Sequence, residues 1–363
     1  MYNFKNFFLN KRVLITGHTG FKGSWLSLWL YLLGARVVGI SINQPTNPSH
    51  FDKLKLKNKI IDKRIDIRNL KDLELIFKKY KPDICFHLAA QSLVKKSYKE
   101  PINTFSTNII GTLNVLECLK KVNKKCLAVI ITSDKSYKNL EIQRGYHEND
   151  LLGGKDPYSA SKASAELILR SYIDSYFKKS SKKKIAIAIA RAGNVVGGGD
   201  WSEDRLIPDC IKAWTKNKKA IIRNPKSTRP WQHVLEALRG YIVLAIYLSK
   251  NSKIAGEPFN FGPKFSQDKN VISFLTEMKK NWKKVNWKIK KKKSIEHESK
   301  LLKLKSKKAK KYLNWQPILH FNETALMTIR WYKEYYNDPN NVFNLSREQI
   351  EEYSKKIKNF KEK

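Results

Sequence analysis

Two residues with the spacing of one helical turn can act together on a substrate hydroxyl. Tyr158 and Lys162 form the sequence's only Y-x-x-x-K pair, and they lie in a helix predicted over about Pro157–Phe177, so both side chains share one helix face. An ammonium beside a phenol favours the phenolate and lowers the tyrosine pKa from about 10 towards neutral pH. The pair therefore predicts a general base, the alternative being an ordinary surface helix face.

A second group of polar residues ends the predicted strand Cys126–Ser133. Ser133 is placed to hydrogen-bond a substrate hydroxyl beside Tyr158, and Asp134 and Lys135 offer a proton donor next to a proton acceptor. Because a lysine pKa begins near 10.4, Lys135 acts as a base only if it is desolvated or crowded by positive charge. The alternative is a turn with exposed polar residues.

Three glycines lie between the first predicted strand, Val13–Thr16, and a helix predicted over about residues 21–33. Gly17, Gly20 and Gly23 let a diphosphate approach the backbone, and the helix N-terminus supplies N–H donors. We assign Phe21 and Lys22, at the start of that helix, to the same site. The spacing G-x-x-G-x-x-G, in this context, predicts a bound nicotinamide dinucleotide.

The sequence leaves the choice between NAD and NADP open. The second predicted strand, Arg36–Ile42, is followed by neither an acid for a ribose hydroxyl nor an Arg for a 2′-phosphate. Asp66 ends the third strand and either meets the adenine amino group or caps the next helix. The remaining predicted cofactor contacts follow the third and fourth strands: Ile67, Leu88, Ala89 and Ala90.

Strands and helices alternate through residues 12–195, which predicts an α/β fold of Rossmann type, a doubly wound parallel sheet with helices on both faces. We expect residues 1–195 to form the dinucleotide-binding domain, with a helix at about 231–250 returning to it. Residues 196–363 are expected to form a smaller mixed α/β substrate-binding lobe with a charged C-terminal tail.

Composition excludes several classes of protein. The formal charge of +40 comes from lysines spread along all 363 residues, so it predicts non-specific anion attraction rather than specific nucleic-acid recognition. The four cysteines form no C-x-x-C pair and the seven histidines have no metal-ligand spacing. No apolar run is long enough to span a bilayer. We therefore predict a reduced cytoplasmic protein without a metal and without a membrane partner.

Several motifs together resemble the extended short-chain dehydrogenase/reductase family. They are TGHTGFKGSW, HLAAQ, the TSDK segment, YSASK, RAGNVVGGGDW, RPWQHV and the segment His297–Pro317. Within that family they resemble the nucleotide-sugar 4,6-dehydratases, whose dTDP-glucose and GDP-mannose branches carry Asp-Glu after the Ser or Thr. Asp134-Lys135 in this sequence points to the CDP-sugar branch, which is held to use NAD without an acid after the second strand.

The resemblance implies NAD as cofactor and loss of water from a nucleotide-diphosphate hexose, CDP-glucose before others, to give a 4-keto-6-deoxy sugar. Arg229 is expected to clamp the diphosphate or to anchor the lobe, with Arg205 second, and Asn194 to bind a diphosphate or sugar oxygen. His233 is expected in the substrate site or as a packed core histidine. The resemblance also implies a homodimer and a product destined for a lipopolysaccharide O-antigen.

Other functions stay open on the sequence. A nucleotide-sugar 4-epimerase or reductase would keep the fold and Tyr158 but would not need Asp134-Lys135. A 4,6-dehydratase for another nucleotide hexose would differ in the C-terminal lobe, where selectivity for the base resides. A non-catalytic scaffold that binds NAD or nucleic acid is the remote alternative, which the intact Ser133, Tyr158 and Lys162 oppose.

Overall fold

A seven-stranded parallel sheet forms the centre of the molecule. The computed structural model describes residues 4–178, 184–264, 268–290 and 302–361. The strands of the sheet are β1 (Arg12–Thr16), β2 (Arg36–Ser41), β3 (Ile61–Arg64), β4 (Ile84–His87), β5 (Cys126–Ile131), β6 (Ile185–Ala192) and β9 (Pro258–Phe261). Their spatial order is β3-β2-β1-β4-β5-β6-β9, and every neighbouring pair is parallel.

Helices cover both faces of this sheet. The described helices are α1 (Phe4–Phe8), α2 (Phe21–Leu32), α3 (His50–Lys53), α4 (Leu70–Tyr80), α5 (Val94–Lys99), α6 (Pro101–Phe105), α7 (Gly111–Lys120), α8 (Pro157–Tyr172), α9 (Leu206–Thr215), α10 (Val234–Lys250), α11 (Val271–Lys279), α12 (Lys307–Leu313), α13 (Phe321–Asn337) and α14 (Val342–Lys361). Turns of π-helix precede α7 (Ser106–Ile110) and follow α8 (Ile173–Phe177).

Alternate strand residues feed two separate cores, as the period of a strand requires. Val13 and Ile15 of β1 join the core that contains α2 and α10, whereas Leu14 joins the core that contains α4, α7 and α8. The predicted doubly wound α/β fold is confirmed, and each of the six predicted strands is present within a few residues of its predicted bounds.

The seventh strand comes from beyond residue 195. After α9 the chain returns through α10, which packs on β5 and β6, and then adds β9 beside β6. The strand β9 has only four residues and begins with a proline, so no alternating pattern in the sequence predicted it. The sheet therefore draws on residues outside the range 1–195 that we expected to supply it.

Small sheets and helices build the C-terminal part. The short strands are β7 (Ala220–Ile222), β8 (Thr228–Pro230), β10 (Asp268–Asn270) and β11 (Trp287–Ile289). β8 pairs with β10 antiparallel, and β7 pairs with β11 parallel. Residues 297–301 of the segment His297–Pro317 lie outside the described residues.

The charged tail is a packed helix rather than a loose one. α14 contacts α2 of the sheet domain, and the Tyr353 ring lies edge-on to Trp29 at 5.8 Å between centroids. Tyr353 also accepts a hydrogen bond from Arg239 Nε (2.9 Å) and donates one to Glu236 Oε2 (2.8 Å). The last helix thus belongs to the core that contains α2.

None of the helices in the described part of the chain combines the length and the apolarity needed to cross a membrane. The four cysteines are all buried and unpaired. Within the described ranges, no group of three or more His, Cys, Asp or Glu side chains is arranged to hold a metal ion.

Candidate active site

The residues singled out in the sequence come together at the carboxyl edge of the sheet. Gly17 follows β1, Leu88 follows β4, Ser133 follows β5 soon after its last residue, and Asn194 follows β6. These strands are neighbours in the order β1-β4-β5-β6, so their ends open on one crevice. In open parallel sheets this is where ligands bind.

The glycine turn after β1 is packed so closely that Gly17 and Gly23 have no space for a side chain. Gly17 has φ +77°, and a Cβ there would lie 2.6 Å from Ala89 N. A Cβ on Gly23 would lie 2.0 Å from Gly17 O. Gly20 is the N-cap of α2 and provides no side-chain cap, so the first-turn N–H groups can bind an anion. These residues, with Phe21 and Lys22 at the helix start, fit the diphosphate of a dinucleotide.

A histidine in this turn fastens it to the neighbouring strands. His18 Nε2 lies 2.9 Å from Asp62 Oδ1 on β3, and the His18 ring occupies the space beside Gly39, where a Cβ would come within 2.3 Å of it. Burial lowers the pKa of His18, although Asp62 opposes that shift. After β2, the carbonyl oxygen of Asn43 accepts a hydrogen bond from Thr19 Oγ1 (2.7 Å). This segment, where an acid would hold a ribose hydroxyl, contains no acid near Asn43.

Asp66 faces an arginine in this conformation. Arg68 donates to both of its carboxylate oxygens, with Arg68 NH2 at 2.6 Å from Oδ2. Burial alone would raise the pKa of Asp66, but the hydrogen bonds and charge of Arg68 lower it below its usual range. Asn69, not Asp66, caps α4. Contact between Asp66 and adenine stays a prediction.

The other predicted cofactor positions follow β3 and β4. Ile67 is buried against Gly111, where a Cβ would come within 2.4 Å of the Ile67 side chain. The segment Leu88–Ala90 continues β4, and Ala89 N donates to Thr16 Oγ1 at 3.2 Å. Thr16 in turn lies 2.7 Å from His87 Nδ1.

Tyr158 and Lys162 are both buried on α8, behind an N-cap made by Asp156. Burial raises the pKa of Tyr158 to about 12, while a hydrogen bond with Ser133 and the charge of Arg205 act in the opposite direction. Burial lowers the pKa of Lys162 to about 8, opposed by the carboxylate of Glu166. Burial therefore acts against the predicted lowering of the Tyr158 pKa, because loss of water around the phenol disfavours the phenolate.

Ser133, Asp134 and Lys135 form a compact group beside Tyr158. The Ser133 hydroxyl donates to Asp134 Oδ1 at 2.9 Å and accepts from Lys135 N at 3.2 Å. Lys135 Nζ lies 3.7 Å from Asp134 Oδ1 and 3.5 Å from Asn194 Oδ1. Gly193 leaves space for the other carboxylate oxygen, because a Cβ there would lie 3.0 Å from Asp134 Oδ2. An acid and an amine are thus adjacent, as the sequence predicted.

Lys22 belongs to this group as well as to the glycine turn. Burial, together with the positive charges of Arg205, Lys162 and Lys135, lowers the pKa of Lys22 to about 8 against the opposing charge of Asp134. Arg205 NH1 donates to Asp200 Oδ2 at 2.9 Å. Arg205 also interacts electrostatically with Tyr158, so this arginine lies at the reacting end of the crevice.

The other three predicted substrate residues have different surroundings. Asn194 is exposed and accepts from Lys135. Arg229 lies on β8 and donates to Thr228 O at 3.0 Å, and its neighbour Trp231 stacks on Phe274 at 4.0 Å, so the segment anchors the lobe. The predicted substrate contact by His233 is wrong in this conformation: the side chain is fully buried and caps α10 through Leu235 N.

We did not predict from the sequence the buried side chains that pack around this site. Glu166 pairs with Arg191, both without any exposure, and Asn108 donates to Ser161 Oγ (2.8 Å) beside Tyr158. Tyr241 on α10 is buried and interacts electrostatically with Tyr158 and Asp134. One signal was available for Glu166: it lies four residues after Lys162 on the same helix face.

The glycine turn, the crevice and the Ser–Tyr–Lys group define a dinucleotide-binding enzyme of the extended short-chain dehydrogenase/reductase class. A family model described as GDP-mannose 4,6 dehydratase matches residues 14–328. CDP-glucose 4,6-dehydratase of Salmonella typhimurium is 43% identical over 353 residues, 96% of this chain and 98% of that protein. The chain belongs to this family of nucleotide-sugar 4,6-dehydratases.

More distant proteins share the fold. dTDP-D-glucose 4,6-dehydratase of Dictyostelium discoideum is 31% identical over 278 residues, 73% of this chain and 61% of that protein. The structure of dTDP-glucose 4,6-dehydratase from Bacillus anthracis in complex with NAD matches with a TM-score of 0.72 at 22% identity, covering 89% of this chain and 97% of that one. UDP-glucose 4-epimerase from Thermotoga maritima matches with a TM-score of 0.75 at 21% identity, covering 90% and 99%.

Proposed function

We propose that this protein is an NAD-dependent lyase that removes water from CDP-glucose and forms CDP-4-keto-6-deoxyglucose. The observation that carries the proposal is the adjacency of Asp134 and Lys135 to the buried Tyr158, with the lysine amine 3.7 Å from the aspartate. An enzyme that only oxidises and reduces C4 needs no acid and amine beside its tyrosine. Elimination of water across C5 and C6 needs both.

The first task of the residues is to remove the proton of the C4 hydroxyl. Tyr158 takes this proton as a phenolate, and Ser133 orients the hydroxyl by hydrogen bonding. Because burial raises the pKa of Tyr158 to about 12, the phenolate depends on cations, of which Arg205 acts directly on it. Lys162, when protonated, adds to that field and binds the nicotinamide ribose.

The second task is to move two protons during loss of water. The ketone at C4 acidifies the C5 proton, which Lys135 removes while Asp134 protonates the departing C6 hydroxyl. Lys22 lies close enough to interact electrostatically with Lys135. The contact of Lys135 with Asn194 Oδ1 at 3.5 Å holds the amine at the edge of the crevice.

The diphosphate of NAD would be held by the glycine turn and the start of α2, through Gly17, Gly20, Phe21, Lys22 and Gly23. The rest of NAD would lie along the sheet beside Ile67, Leu88, Ala89 and Ala90. Bound NAD supplies the hydride acceptor for C4 and the donor for C6, so the net reaction is not a redox reaction. Asp66, Arg205, Asn194 and Arg229 remain the proposed polar contacts to adenine, sugar and diphosphate.

Product analysis tests the reaction. The protein is incubated with NAD and one sugar nucleotide at a time, namely the CDP, dTDP, UDP or GDP derivative of glucose or mannose. The masses of the products are then measured by mass spectrometry. We expect loss of one water from CDP-glucose and at least a tenfold preference for it over the other nucleotides, a difference of about 1.4 kcal/mol in transition-state binding. An isomer of unchanged mass would instead identify an epimerase, and another preferred base would identify another 4,6-dehydratase.

Replacement of Tyr158 by Phe tests the mechanism. The variant keeps the ring, so we expect NAD affinity, measured by calorimetry, to change by less than about threefold. Turnover should fall by about a thousandfold or more, because no other group takes the C4 proton. Product formation at the wild-type rate would contradict the role of the phenol.

We further infer a homodimer formed through α6, α7 and α8. The support is a set of large apolar side chains that these helices and the π-turn between α6 and α7 leave exposed: Ile102, Ile110 and Leu167. Leu167→Glu should give a monomer by light scattering, because it introduces a charge into the apolar contact. Leu75→Glu is the matched control on α4, where Leu75 is similarly exposed, and should leave the dimer intact. Equal behaviour of both variants would reject this interface.

A cytoplasmic location and a product used in a lipopolysaccharide O-antigen remain proposals. They are supported by four unpaired cysteines and by the 43% identity to an enzyme of Salmonella typhimurium named for CDP-glucose dehydration. The lysine-rich surface remains without an assigned specific partner.

A further inference from the structure

A fully buried ion pair lies directly behind the proposed catalytic residues. Arg191 Nε donates to Glu166 Oε1 (2.9 Å) and Oε2 (3.0 Å), and Arg191 NH2 donates to Glu166 Oε2 at 2.5 Å. Thr132 Oγ1 adds a third donor at 2.6 Å from Glu166 Oε1. A buried pair is costly to desolvate unless its hydrogen bonds are satisfied, and those of this carboxylate are.

This one carboxylate joins the three elements that carry the site. Glu166 lies on α8, one turn beyond Lys162 and two turns beyond Tyr158. Thr132 immediately precedes Ser133 at the end of β5, and Arg191 lies on β6, three residues before Asn194. A shift of α8 relative to the ends of β5 or β6 would therefore break hydrogen bonds to Glu166.

The other side of the arginine is also occupied. Arg191 NH1 donates to the Tyr137 hydroxyl (2.6 Å) and to Glu148 O (2.9 Å). Tyr137 in turn donates to Asn260 Oδ1 at 2.8 Å on β9. With its nitrogens bound and its side chain unexposed, Arg191 is not a ligand for substrate, and its contacts serve Glu166 and the packing around it.

The charge of Glu166 also acts on Lys162. It raises the pKa of Lys162 against the effect of burial. Lys162 in turn acts on two other ionisable groups: His87 at the end of β4, whose pKa burial lowers to about 3, and Lys22 on α2. Of these three groups, only Glu166 is negative, and its neutralisation would favour the uncharged amine.

We propose that Glu166 is a positioning residue for the dehydration: clamped by Arg191 and Thr132, it fixes α8 against the end of β5 and places a negative charge one helical turn from Lys162. The proposal rests on the proposed function, because it assigns Tyr158 and Lys162 to the chemistry. It concerns geometry and charge behind the site, and Glu166 touches neither substrate nor cofactor.

Glu166→Gln tests the proposal, because glutamine keeps the shape and most hydrogen bonds but removes the charge. We expect kcat for CDP-glucose to fall about tenfold or more with KM within about threefold. The alkaline limb of the pH profile of kcat should move to lower pH by about one unit, because Lys162 loses its proton earlier. NAD affinity, measured by calorimetry, should change little.

Glu236→Gln is the matched control. Glu236 is an equally buried glutamate that pairs with Arg239 and accepts from Ile318 N and Leu319 N, away from the site. Its replacement should lower the urea midpoint as Glu166→Gln does, but leave the pH profile unchanged. Equal effects of the two variants on the profile would overturn the proposal and leave Glu166 a purely structural group.

Thr132→Val is a second variant that tests the proposal if Glu166→Gln does not fold. It removes only the hydroxyl bound to Glu166 and keeps the ion pair, so kcat should fall several-fold without a shift of the pH profile. A wild-type kcat for this variant would contradict the clamp between β5 and α8.

A measurement without substrate separates this proposal from the proposed function. Reductive methylation modifies neutral amines, and peptide mass spectrometry reports its rate at Lys162 across pH in the NAD-bound protein. Glu166→Gln should react faster than wild type at a given pH, by about tenfold per unit of pKa, with Lys135 in the same digest as internal reference. Equal rates would reject the effect of Glu166 on Lys162, even if CDP-glucose proved not to be the substrate.

Discussion

Four cations lie near the carboxylate of Asp134 in the crevice. Lys22 interacts electrostatically with Lys135, Lys162, Arg205 and Asp134, and burial lowers the pKa of both Lys22 and Lys162 to about 8. Such a field favours anions, including a phenolate, a substrate diphosphate and the oxyanion of a developing enol. The individual residues therefore support an enzyme that stabilises negative charge.

We expect the buried hydroxyl of Tyr241 to lower the free energy of unfolding, and a single substitution tests this. Its hydroxyl is buried and has no hydrogen-bond partner among the described residues, while its ring packs on Phe261 at 6.0 Å. Tyr241→Phe keeps the ring and removes an unsatisfied group, so we expect the free energy of unfolding to rise by about 1 kcal/mol. Urea denaturation measures this change.

Tyr137→Phe is the matched control, because its hydroxyl accepts from Arg191 and donates to Asn260. We expect this variant to lose about 1–3 kcal/mol. A loss of stability in Tyr241→Phe as well would mean that an ordered water satisfies the Tyr241 hydroxyl.

The elements around the site are held by contacts between strand ends and helices. His18 fastens the glycine turn to β3, and Glu166 fastens α8 to β5 and β6. The segment 197–201 is held similarly: Trp25 Nε1 donates to Gly198 O (2.9 Å), and a Cβ on Gly198 would lie 2.0 Å from the Trp331 ring. Neighbouring elements thus help to fix the loops at the carboxyl edge.

Two glycines of one turn should respond differently to alanine. At Gly23 a Cβ would lie 2.0 Å from Gly17 O, so Gly23→Ala must displace backbone and should lower the free energy of unfolding by about 2 kcal/mol or more. At Gly20 the nearest atom would be 3.4 Å away and φ is −69°, so Gly20→Ala should fold like wild type. Thermal denaturation without and with NAD measures both effects.

NAD should stabilise Gly20→Ala less than wild type, because the added methyl group lies where the diphosphate approaches the turn. The interpretation of the turn as a diphosphate site would be wrong if NAD stabilised this variant as much as wild type.

At the scale of the whole molecule, the C-terminal helix α14 packs against helices that come much earlier in the chain. α14 packs on α2, the helix whose N-terminus forms the cofactor turn, and Tyr353 bridges Arg239 and Glu236 on α10. A core cluster extends from Phe8 near the N-terminus to Ile357. The part of the chain that looked like a charged tail therefore supports the helix that we propose binds the cofactor.

Tyr353→Phe tests this closure. The variant leaves Glu236 and Arg239 without a shared buried partner, so we expect a loss of about 1–3 kcal/mol in the free energy of unfolding, with kcat unchanged. Tyr312→Phe, at an exposed tyrosine, is the matched control and should change stability by less than about 0.5 kcal/mol. Equal stability of the two variants would contradict the bridging role.

The sequence determined the local parts of this protein. Alternating strands and helices, the glycine turn, the Tyr158–Lys162 spacing and the polar end of β5 depend on periodicity and neighbouring residues, which a sequence displays directly. The close agreement between predicted and observed bounds for β1, β2 and β5 follows from the same signals.

Only the tertiary structure decided what depends on distant partners. The strand β9, the pairing of Glu166 with Arg191, the closure by α14 and the burial of His233 join residues far apart in the chain, and no spacing reports such contacts. Charge behaves in the same way: Lys22 and Tyr158 have shifted pKa values because of burial and neighbours from several elements. The residue types at the site were readable in the sequence, whereas their electrostatic state arises from desolvation, which exists only in the folded protein.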